Sequence, residues 1–228
     1  STFTMTSGEI SGNTNIAGNG VGGVYVDYVS TFNMTGGGIN RNTNTAADGG
    51  GGVYVDGTFT MTGGEITGNT SAENGGGGVY VGGSGEFTMS NGTITGNTSA
   101  GNGGGGVYAA SQGTFIMNGG NINGNNISAT DNSGAGGVFM NGIFTVSGAA
   151  KIIDNWKNGQ KTNNGYDKGD GTASNVYLPN DYRLITIGEG LTNNARIGVS
   201  IGELLETAGG EVQIANGATD EQSYYRNI

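Results

Sequence analysis

Residues 49–69 read GGGGVYVDGTFTMTGGEITGN, and variants of this stretch recur along the chain about every 28 residues. The repeated phenylalanines are spaced by 29, 27, 28, 28 and 29 residues, and they are Phe3, Phe32, Phe59, Phe87, Phe115 and Phe144. Asparagines keep the same step to within two residues at Asn13, Asn42, Asn69, Asn97, Asn125 and Asn155. Such a constant period is typical of a repeat array, in which each unit buries its apolar face against its neighbours.

Each repeat contains short segments in which apolar and polar residues alternate. Thr58-Phe59-Thr60-Met61-Thr62 has the two-residue period of a β-strand with one solvent-facing side, as has Val53-Tyr54-Val55-Asp56. Glycine pairs separate the segments as corners, and a third segment surrounds Ile66. The sequence therefore predicts an all-β chain of about seven coils with three strands per coil, stacked with parallel pairing. Because parallel crossovers are right-handed in about 98% of cases, the expected fold is a right-handed single-stranded parallel β-helix, a β-solenoid.

The repeat changes character towards the end of the chain. Residues 1–155 predict six regular coils, 156–175 a polar insertion loop, and 176–201 a degenerate seventh coil. Residues 202–228 predict a cap or the start of another module, with a helical turn at 203–207 and a strand at 211–214. Since residue 1 falls within a coil, we expect residues 1–13 to stack on upstream coils or head-to-tail on another copy, which would propagate a filament.

Both halves of the repeat resemble a known family. Gly-Gly-Val-Tyr is similar to the Gly-Gly-Ala-Ile/Leu/Val half of the chlamydial-type polymorphic outer-membrane repeat, and it occurs at 22–25, 51–54, 77–80 and 105–108. Ile-x-Gly-Asn resembles the Phe-x-x-Asn half, with Ile replacing Phe, and it occurs at 10–13, 66–69, 94–97 and 122–125. The resemblance covers roughly residues 1–155 and implies a secreted or bacterial cell-surface β-helix of the pectate-lyase-like superfamily, often an adhesin. It does not imply an enzyme.

Composition excludes several functions. The 228 residues include no cysteine, so disulfides and thiol catalysis are excluded, and no histidine, the commonest general base and metal ligand. The net charge of −10 opposes binding to nucleic acid or anionic lipid. No apolar run approaches the roughly 20 residues that span a bilayer. We therefore expect no cofactor, no metal, no nucleic-acid partner and no membrane span.

Strand parity predicts which side chains face solvent. The repeated tyrosine lies between two apolar columns, as Tyr54 does between Val53 and Val55, and it shares its parity with the polar residues Asp27 and Asp56. The outward column, and hence the candidate binding surface, consists of Tyr25, Tyr54, Tyr80, Tyr108, Phe139 and Tyr177. Cross-strand stacking alone could explain such a column. An exposed aromatic stripe could also contact a glycan or a host or neighbouring surface protein.

The inward columns have a structural interpretation. Phe59 and Met61 are predicted to point into the core, while Thr58, Thr60 and Thr62 point outward. The asparagine column is expected to bond amides of adjacent coils and backbone groups at the corner. The predicted function is therefore that of a non-enzymatic extracellular stalk or adhesive segment.

Three other functions stay open. The outward Thr-x-Thr rows resemble the faces of ice-binding solenoids, although other residues interrupt them, namely Asn33, Glu86, Ile116, Asn118 and Ile143. A carbohydrate-active β-helix, similar to pectin-active lyases and hydrolases, would have its site partly outside this chain. Weak calcium binding could occur at Asp27 with Asp56, or at Asp167 with Asp170.

Overall fold

The computed structural model describes residues 1–18, 20–129, 133–163, 165–180, 184–192, 194–203, 211–217 and 223–227. These residues form strands and turns, with no helix among them, and the coils stack in parallel into a β-solenoid. The predicted β-solenoid is therefore confirmed. The helical turn predicted at 203–207 lies outside the described residues, apart from Glu203, which ends a strand.

Each coil contributes strands to four long sheets, which we name after the residues that mark them. The Phe sheet consists of Thr2–Met5, Thr31–Met34, Thr58–Met61, Glu86–Met89, Thr114–Met117, Ile143–Gly148, Ile185–Leu191, Glu211–Gly217 and Ser223–Asn227. The Ile sheet consists of Glu9–Ser11, Gly38–Asn40, Glu65–Thr67, Thr93–Thr95, Asn121–Asn123, Lys151–Ile152 and Arg196–Ile197.

The other two sheets complete the coil. The short sheet consists of Thr14–Asn15, Thr43–Asn44, Thr70–Ser71, Thr98–Ser99, Asn126–Ile127, Trp156–Lys157 and Thr172–Ala173. The Tyr sheet consists of Val24–Val26, Val53–Val55, Val79–Val81, Val107–Ala109, Val138–Met140, Val176–Asn180 and Val199–Glu203. Two smaller pairs join Gly20–Val21 to Gly49–Gly50 in parallel, and Gln160–Thr162 to Gly165–Asp167 as an antiparallel hairpin.

Two details differ from the sequence prediction. A coil contains four strands rather than three, because the residues after each repeated asparagine form a two-residue strand that is too short to show alternation. Five coils, within residues 2–140, contain all four strands without interruption. In the sixth coil the segment between Trp156–Lys157 and Val176–Asn180 contains the hairpin, and Thr172–Ala173 pairs antiparallel with Trp156–Lys157.

The core is a set of columns with one residue per coil. Phe59 pairs in register with Phe32 and Phe87, and its ring centroid lies 4.7 Å from each of theirs. Phe59 and Met61 are fully buried, whereas Thr58 and Thr60 are half-exposed. The predicted facing of this strand is therefore confirmed, and methionine, isoleucine and valine columns fill the rest of the interior.

The asparagine column is a continuous hydrogen-bonded ladder. Oδ1 of Asn125 accepts the backbone N–H and the side-chain N–H of Asn97, both at 3.0 Å. Nδ2 of Asn97 also donates to the carbonyl oxygen of Ile66 at 2.9 Å. Asn175 extends the ladder beyond the predicted column, because its Oδ1 accepts the same two donors from Asn155. The side-chain amides of the repeated asparagines thus join adjacent coils by hydrogen bonds.

Candidate functional site

The six aromatic residues predicted from the sequence lie in one column on the outer side of the Tyr sheet. Tyr54 pairs in register with Tyr25 of the preceding coil and with Tyr80 of the following coil. The flanking Val53 and Val55 are fully buried, so alternation places the tyrosine ring outside. We call this column the aromatic ladder; it consists of Tyr25, Tyr54, Tyr80, Tyr108, Phe139 and Tyr177.

The rings of the ladder stack on one another. The centroids of Tyr54 and Tyr80 are 4.8 Å apart, and those of Tyr80 and Tyr108 are 5.0 Å apart, with interplanar angles of 24° and 12°. Phe139 follows Tyr108 at 5.1 Å and Tyr177 follows Phe139 at 5.4 Å. Inside the ladder each ring face is therefore covered by the neighbouring ring. A ligand would meet ring edges and hydroxyl groups there, instead of stacking a sugar on a ring face.

Exposure differs between the rings of the ladder. The first ring, Tyr25, is 52% exposed and is tilted by 40° relative to Tyr54. Tyr54, Tyr80, Tyr108 and Tyr177 are half-buried, and Phe139 is only 9% exposed. The stripe expected from the sequence is thus accessible along most of its length and least accessible at Phe139.

The phenol groups of the ladder are held in their neutral form. The hydroxyl of Tyr25 donates to Oδ2 of Asp56 at 2.8 Å, and this hydrogen bond, followed by burial, raises the pKa of Tyr25 to about 12. Burial raises the pKa of Tyr54 and Tyr80 above the ordinary range of a phenol, and likewise that of Tyr108. At neutral pH the outer edge of the ladder is therefore a row of uncharged hydroxyl groups.

The glycine run before each tyrosine strand packs closely against the backbone of that strand. Gly76 forms parallel bridges with Gly50 and Gly104 of the adjacent coils. A Cβ atom on Gly76 would collide with the carbonyl oxygen of Val79 and would lie 2.7 Å from the backbone nitrogen of Tyr80. A side chain at Gly76 would therefore require the backbone to shift, as it does in the fifth coil, where the same column holds the buried Ala135.

Three of the four carboxylates considered for calcium accept hydrogen bonds within the chain. Oδ1 of Asp27 accepts the backbone N–H of Tyr28 at 2.9 Å, while Asp56 accepts the hydroxyl of Tyr25. Oδ1 of Asp167 accepts the N–H of Gly169 at 3.1 Å. In the described part of the chain, no group of three or more acidic residues is placed to hold a metal ion.

The outward threonines lie on the Phe sheet as predicted, but they do not form an unbroken grid. Register places Thr58 between Thr31 and Glu86, and it places Thr60 between Asn33 and Thr88. Isoleucines enter the same two columns further along, at Ile116 and Ile143. Non-hydroxyl side chains therefore interrupt the threonine columns.

One polar cavity was not identified from the sequence. It lies between the insertion hairpin and the outer side of the Ile sheet, with Arg41 and Lys161 among its lining residues. The two cations are 120 positions apart in sequence, and only the folding of the hairpin onto the coils brings them to one cavity. A sequence signal did exist, since Arg41 occupies the repeat position that Gly12 and Gly68 occupy in other coils.

Comparison with known proteins identified no relative. No family model matches the chain, and no curated protein or solved structure matches it significantly. A search of the described residues for a helix of the length and apolar character required to cross a membrane found none. The β-solenoid, its two stacked aromatic columns and its asparagine and threonine columns are established by the structure alone. The resemblance of the repeat to the polymorphic outer-membrane family stays a prediction.

Proposed function

We propose that this chain is a non-enzymatic segment of an extracellular, bacterial cell-surface β-helix, which acts as a stiff stalk and contacts a glycan or a surface protein through the aromatic ladder. The observation that carries the proposal is the difference between the two aromatic columns. From Phe32 to Phe144 the phenylalanine column is at most 1% exposed and supplies the core. The tyrosines of the same coils, such as Tyr54, Tyr80 and Tyr108, lie outside and are only half-buried, so their edges stay accessible.

The chemistry of the ladder edge suits a neutral polar ligand. Rings 4.8 to 5.0 Å apart from Tyr54 to Tyr108 present one hydroxyl group per coil beside apolar ring edges. Tyrosine combines a large apolar area with a hydrogen-bonding group, which is why it is enriched in contact surfaces. A polymer with regularly spaced hydroxyl groups, or an extended protein segment, could therefore bind along the coil axis.

A stalk role follows from how the repeat uses its polar residues. The amides of Asn97 and Asn125 are bonded to adjacent coils, so the repeated polar side chains tie the array together. Seven strands stacked at about 4.8 Å per coil extend roughly 30 Å along the axis. End-to-end association of copies would lengthen such a stalk, and sedimentation at rising protein concentration tests it.

The extracellular and bacterial placement is supported by the resemblance of the repeat. The extracellular placement is also compatible with the composition, because the chain has 51 glycines and no cysteine and so depends on no disulfide or thiol. Secretion of the full-length protein and accessibility of the repeat to antibody on intact cells would test this placement.

Binding is tested by two triple variants of the ladder. Tyr54, Tyr80 and Tyr108 are replaced together by Ser, which removes rings and phenols, or together by Phe, which retains stacking and removes only the hydroxyl groups. Retention on a glycan array and on a surface-protein extract is measured, with Thr60→Ser plus Thr88→Ser on the Phe sheet as the control. We expect the Ser variant to lose retention, the Phe variant to lose most of it, and the control to behave as the wild type.

The Phe variant keeps the test informative if the Ser variant does not fold. Far-UV circular dichroism establishes which variants retain the β-solenoid. Unchanged retention by a folded Ser or Phe variant would end the role assigned to the ladder.

A further inference from the structure

The insertion hairpin forms one wall of a cavity on the Ile sheet. The backbone N–H of Tyr166 donates to the carbonyl oxygen of Gly124 at 2.9 Å. A Cβ atom on Gly96 would lie 3.2 Å from Cα of Gly165, so the hairpin is in close contact with this corner. The cavity between hairpin and coils has a volume of about 480 Å³, which is within the usual range of about 300–1,000 Å³ for ligand sites.

Two cations from separate parts of the chain line this cavity. Arg41 comes from the second coil, and Lys161 comes from the hairpin. The protein has only 8 basic residues against 18 acidic ones, and Arg41 is the sole basic residue before Lys151. Their convergence therefore does not follow from a generally basic surface. Two positive groups beside one cavity would attract an anionic group and form charge-assisted hydrogen bonds with it.

The position of Arg41 in the repeat directs its side chain to a corner of the coil. Arg41 has φ of 54°, in the left-handed region that residues other than glycine rarely adopt. The equivalent residues are glycines with φ between 60° and 69° in four coils, namely Gly12, Gly68, Gly96 and Gly124, and Asp154 with φ of 52° in the sixth coil. A side chain at this corner thus occurs in two coils, and Arg41 is the one of the two that lines the cavity.

The floor of the cavity offers hydrogen-bonding groups for a polyhydroxy ligand. Asn40, Thr67 and Thr95 follow one another along the outer side of the Ile sheet. Oδ1 of Asn40 is buried and accepts no hydrogen bond from the described residues. Because this oxygen is covered, the hydroxyl groups of Thr67 and Thr95 are the groups on the floor that can bond hydroxyl groups of a ligand.

Acidic residues limit where the charge of the ligand can lie. A neighbouring cavity of about 380 Å³ shares Asn40 and Thr67 with the first, and Glu9 and Glu65 also line it. A polyanion extending from Arg41 across Asn40 would meet these carboxylates. A ligand with one anionic unit at the Arg41 end and a neutral unit towards Glu65 avoids that repulsion.

From these observations we infer that the cavity between the hairpin and the Ile sheet binds an anionic sugar, whose carboxylate or sulfate group lies between Arg41 and Lys161. Its hydroxyl groups bond Thr67 and Thr95 on the floor, and a neutral sugar continues towards Glu65. The site is on a different sheet from the aromatic ladder, so it does not depend on the function proposed for the ladder.

Calorimetric titration of the full chain tests the inference with four probes. They are a disaccharide of glucuronic acid and glucose, its neutral counterpart with glucose in place of the uronic acid, a monosulfated disaccharide, and a heavily sulfated one. We expect either singly charged probe to bind at least about 10-fold more tightly than the neutral one, because charge-assisted bonds are about twice as strong as neutral ones. The two singly charged probes distinguish a carboxylate from a sulfate ligand, and the heavily sulfated probe should gain nothing further.

Variants connect the binding to the two cations. Arg41→Gly and Lys161→Gln should each weaken binding of the charged probe by about 10-fold and leave that of the neutral probe unchanged. Lys168→Gln removes a lysine from the same insertion that does not line the cavity, and it should have no effect. Arg41→Gly installs the residue used by other coils, so its melting temperature should equal or exceed that of the wild type.

Three results would overturn the inference. The first is equal affinity for the charged and neutral probes, or no binding of any probe. The second is unchanged affinity in folded Arg41→Gly protein. The third is a loss in Lys168→Gln as large as that in Lys161→Gln, since it would indicate a non-specific effect of net charge.

Discussion

Asn97 lies one coil beyond Asn69, and its Oδ1 accepts both the backbone N–H and the side-chain N–H of Asn69, each at 2.9 Å. Both residues are fully buried, so these donors have no access to water. Asn97→Ala would leave these two donors unpaired and would also remove the bond from Asn97 to the carbonyl oxygen of Ile66. Since each unsatisfied buried group costs about 1–3 kcal/mol, we expect a loss of at least about 2 kcal/mol in unfolding free energy.

Urea denaturation followed by far-UV circular dichroism measures this loss. Asn91→Ala is the matched control, because Asn91 is exposed and its Oδ1 only accepts the N–H of the adjacent Gly92. We expect the control to change stability by less than about 0.5 kcal/mol. Similar midpoints for the two variants would show that the ladder contributes little to the stacking of coils.

The phenylalanine column makes a second prediction about stability. Phe59→Ala removes a fully buried ring that stacks on Phe32 and Phe87, with interplanar angles of 11° and 9°. We expect a loss of about 3–5 kcal/mol, the usual cost of truncating a buried aromatic side chain. Thr60→Ala, one residue further along the same strand but half-exposed, should be nearly neutral. Equal shifts of the urea midpoint in both variants would contradict the facing of this strand.

The long-range period predicted most of the fold, because a column can form only if equivalent residues return at a constant step. Phe59 and Met61 could be placed in the core from alternation alone, and both are fully buried. The two-residue strand Thr70–Ser71 could not be found in this way, since two residues show no period. Its presence depends on pairing with Thr43–Asn44 and Thr98–Ser99 of the adjacent coils.

The candidate sites were predictable to different degrees. Parity placed Tyr54 and Tyr80 on the outer face, but it could not show that their ring faces cover each other at 4.8 Å. Nor could it predict that Phe139 is only 9% exposed while Tyr25 is 52% exposed, because parity gives the side of the sheet and not the extent of burial. The cavity at Arg41 and Lys161 depends on where the insertion hairpin packs, and no local pattern specifies a contact between such distant residues.

The ladder predicts a specific response to alkaline pH. Tyr25 has its pKa raised to about 12 from the ordinary 10.0, chiefly by its hydrogen bond to Asp56, and burial raises the pKa of Tyr54, Tyr80 and Tyr108. Between pH 10 and 12 the unfolded chain releases the proton of Tyr25 while the folded chain keeps it, and the raised pKa values of the other three phenols act in the same direction. The stabilisation is therefore fully present below pH 10 and is lost as the pH rises above that value towards the folded pKa.

Urea midpoints below pH 10 and between pH 10 and 12 check the sign of this effect. We expect the unfolding free energy to fall in the higher range, and to fall less in a variant with Tyr54, Tyr80 and Tyr108 replaced by Phe. Absorbance of tyrosinate near 295 nm should show the ladder phenols of the native protein ionising later than those of the unfolded chain. Titration of all native tyrosines near the ordinary value would contradict the burial of the ladder.

The glycine run behind the ladder is tested by a pair of identical substitutions around one strand. Gly76→Ala precedes Val79–Val81 and introduces a Cβ atom that collides with the carbonyl oxygen of Val79, a backbone atom that cannot move without displacing Tyr80. Gly83→Ala follows the same strand in an exposed turn, where the nearest atom to the new Cβ is the carbonyl oxygen of Ser111 at 3.1 Å.

Both changes remove the same backbone freedom from the unfolded chain, so the difference between their unfolding free energies reports the effect of the collision. Because Ala135 occupies the equivalent position of the fifth coil, the turn can adjust, and we expect Gly76→Ala to lower the unfolding free energy by only about 1 kcal/mol more than Gly83→Ala and to weaken the near-UV circular dichroism of the stacked tyrosines. Matching spectra and midpoints for the two variants would show that the glycine run is not required to position the ladder.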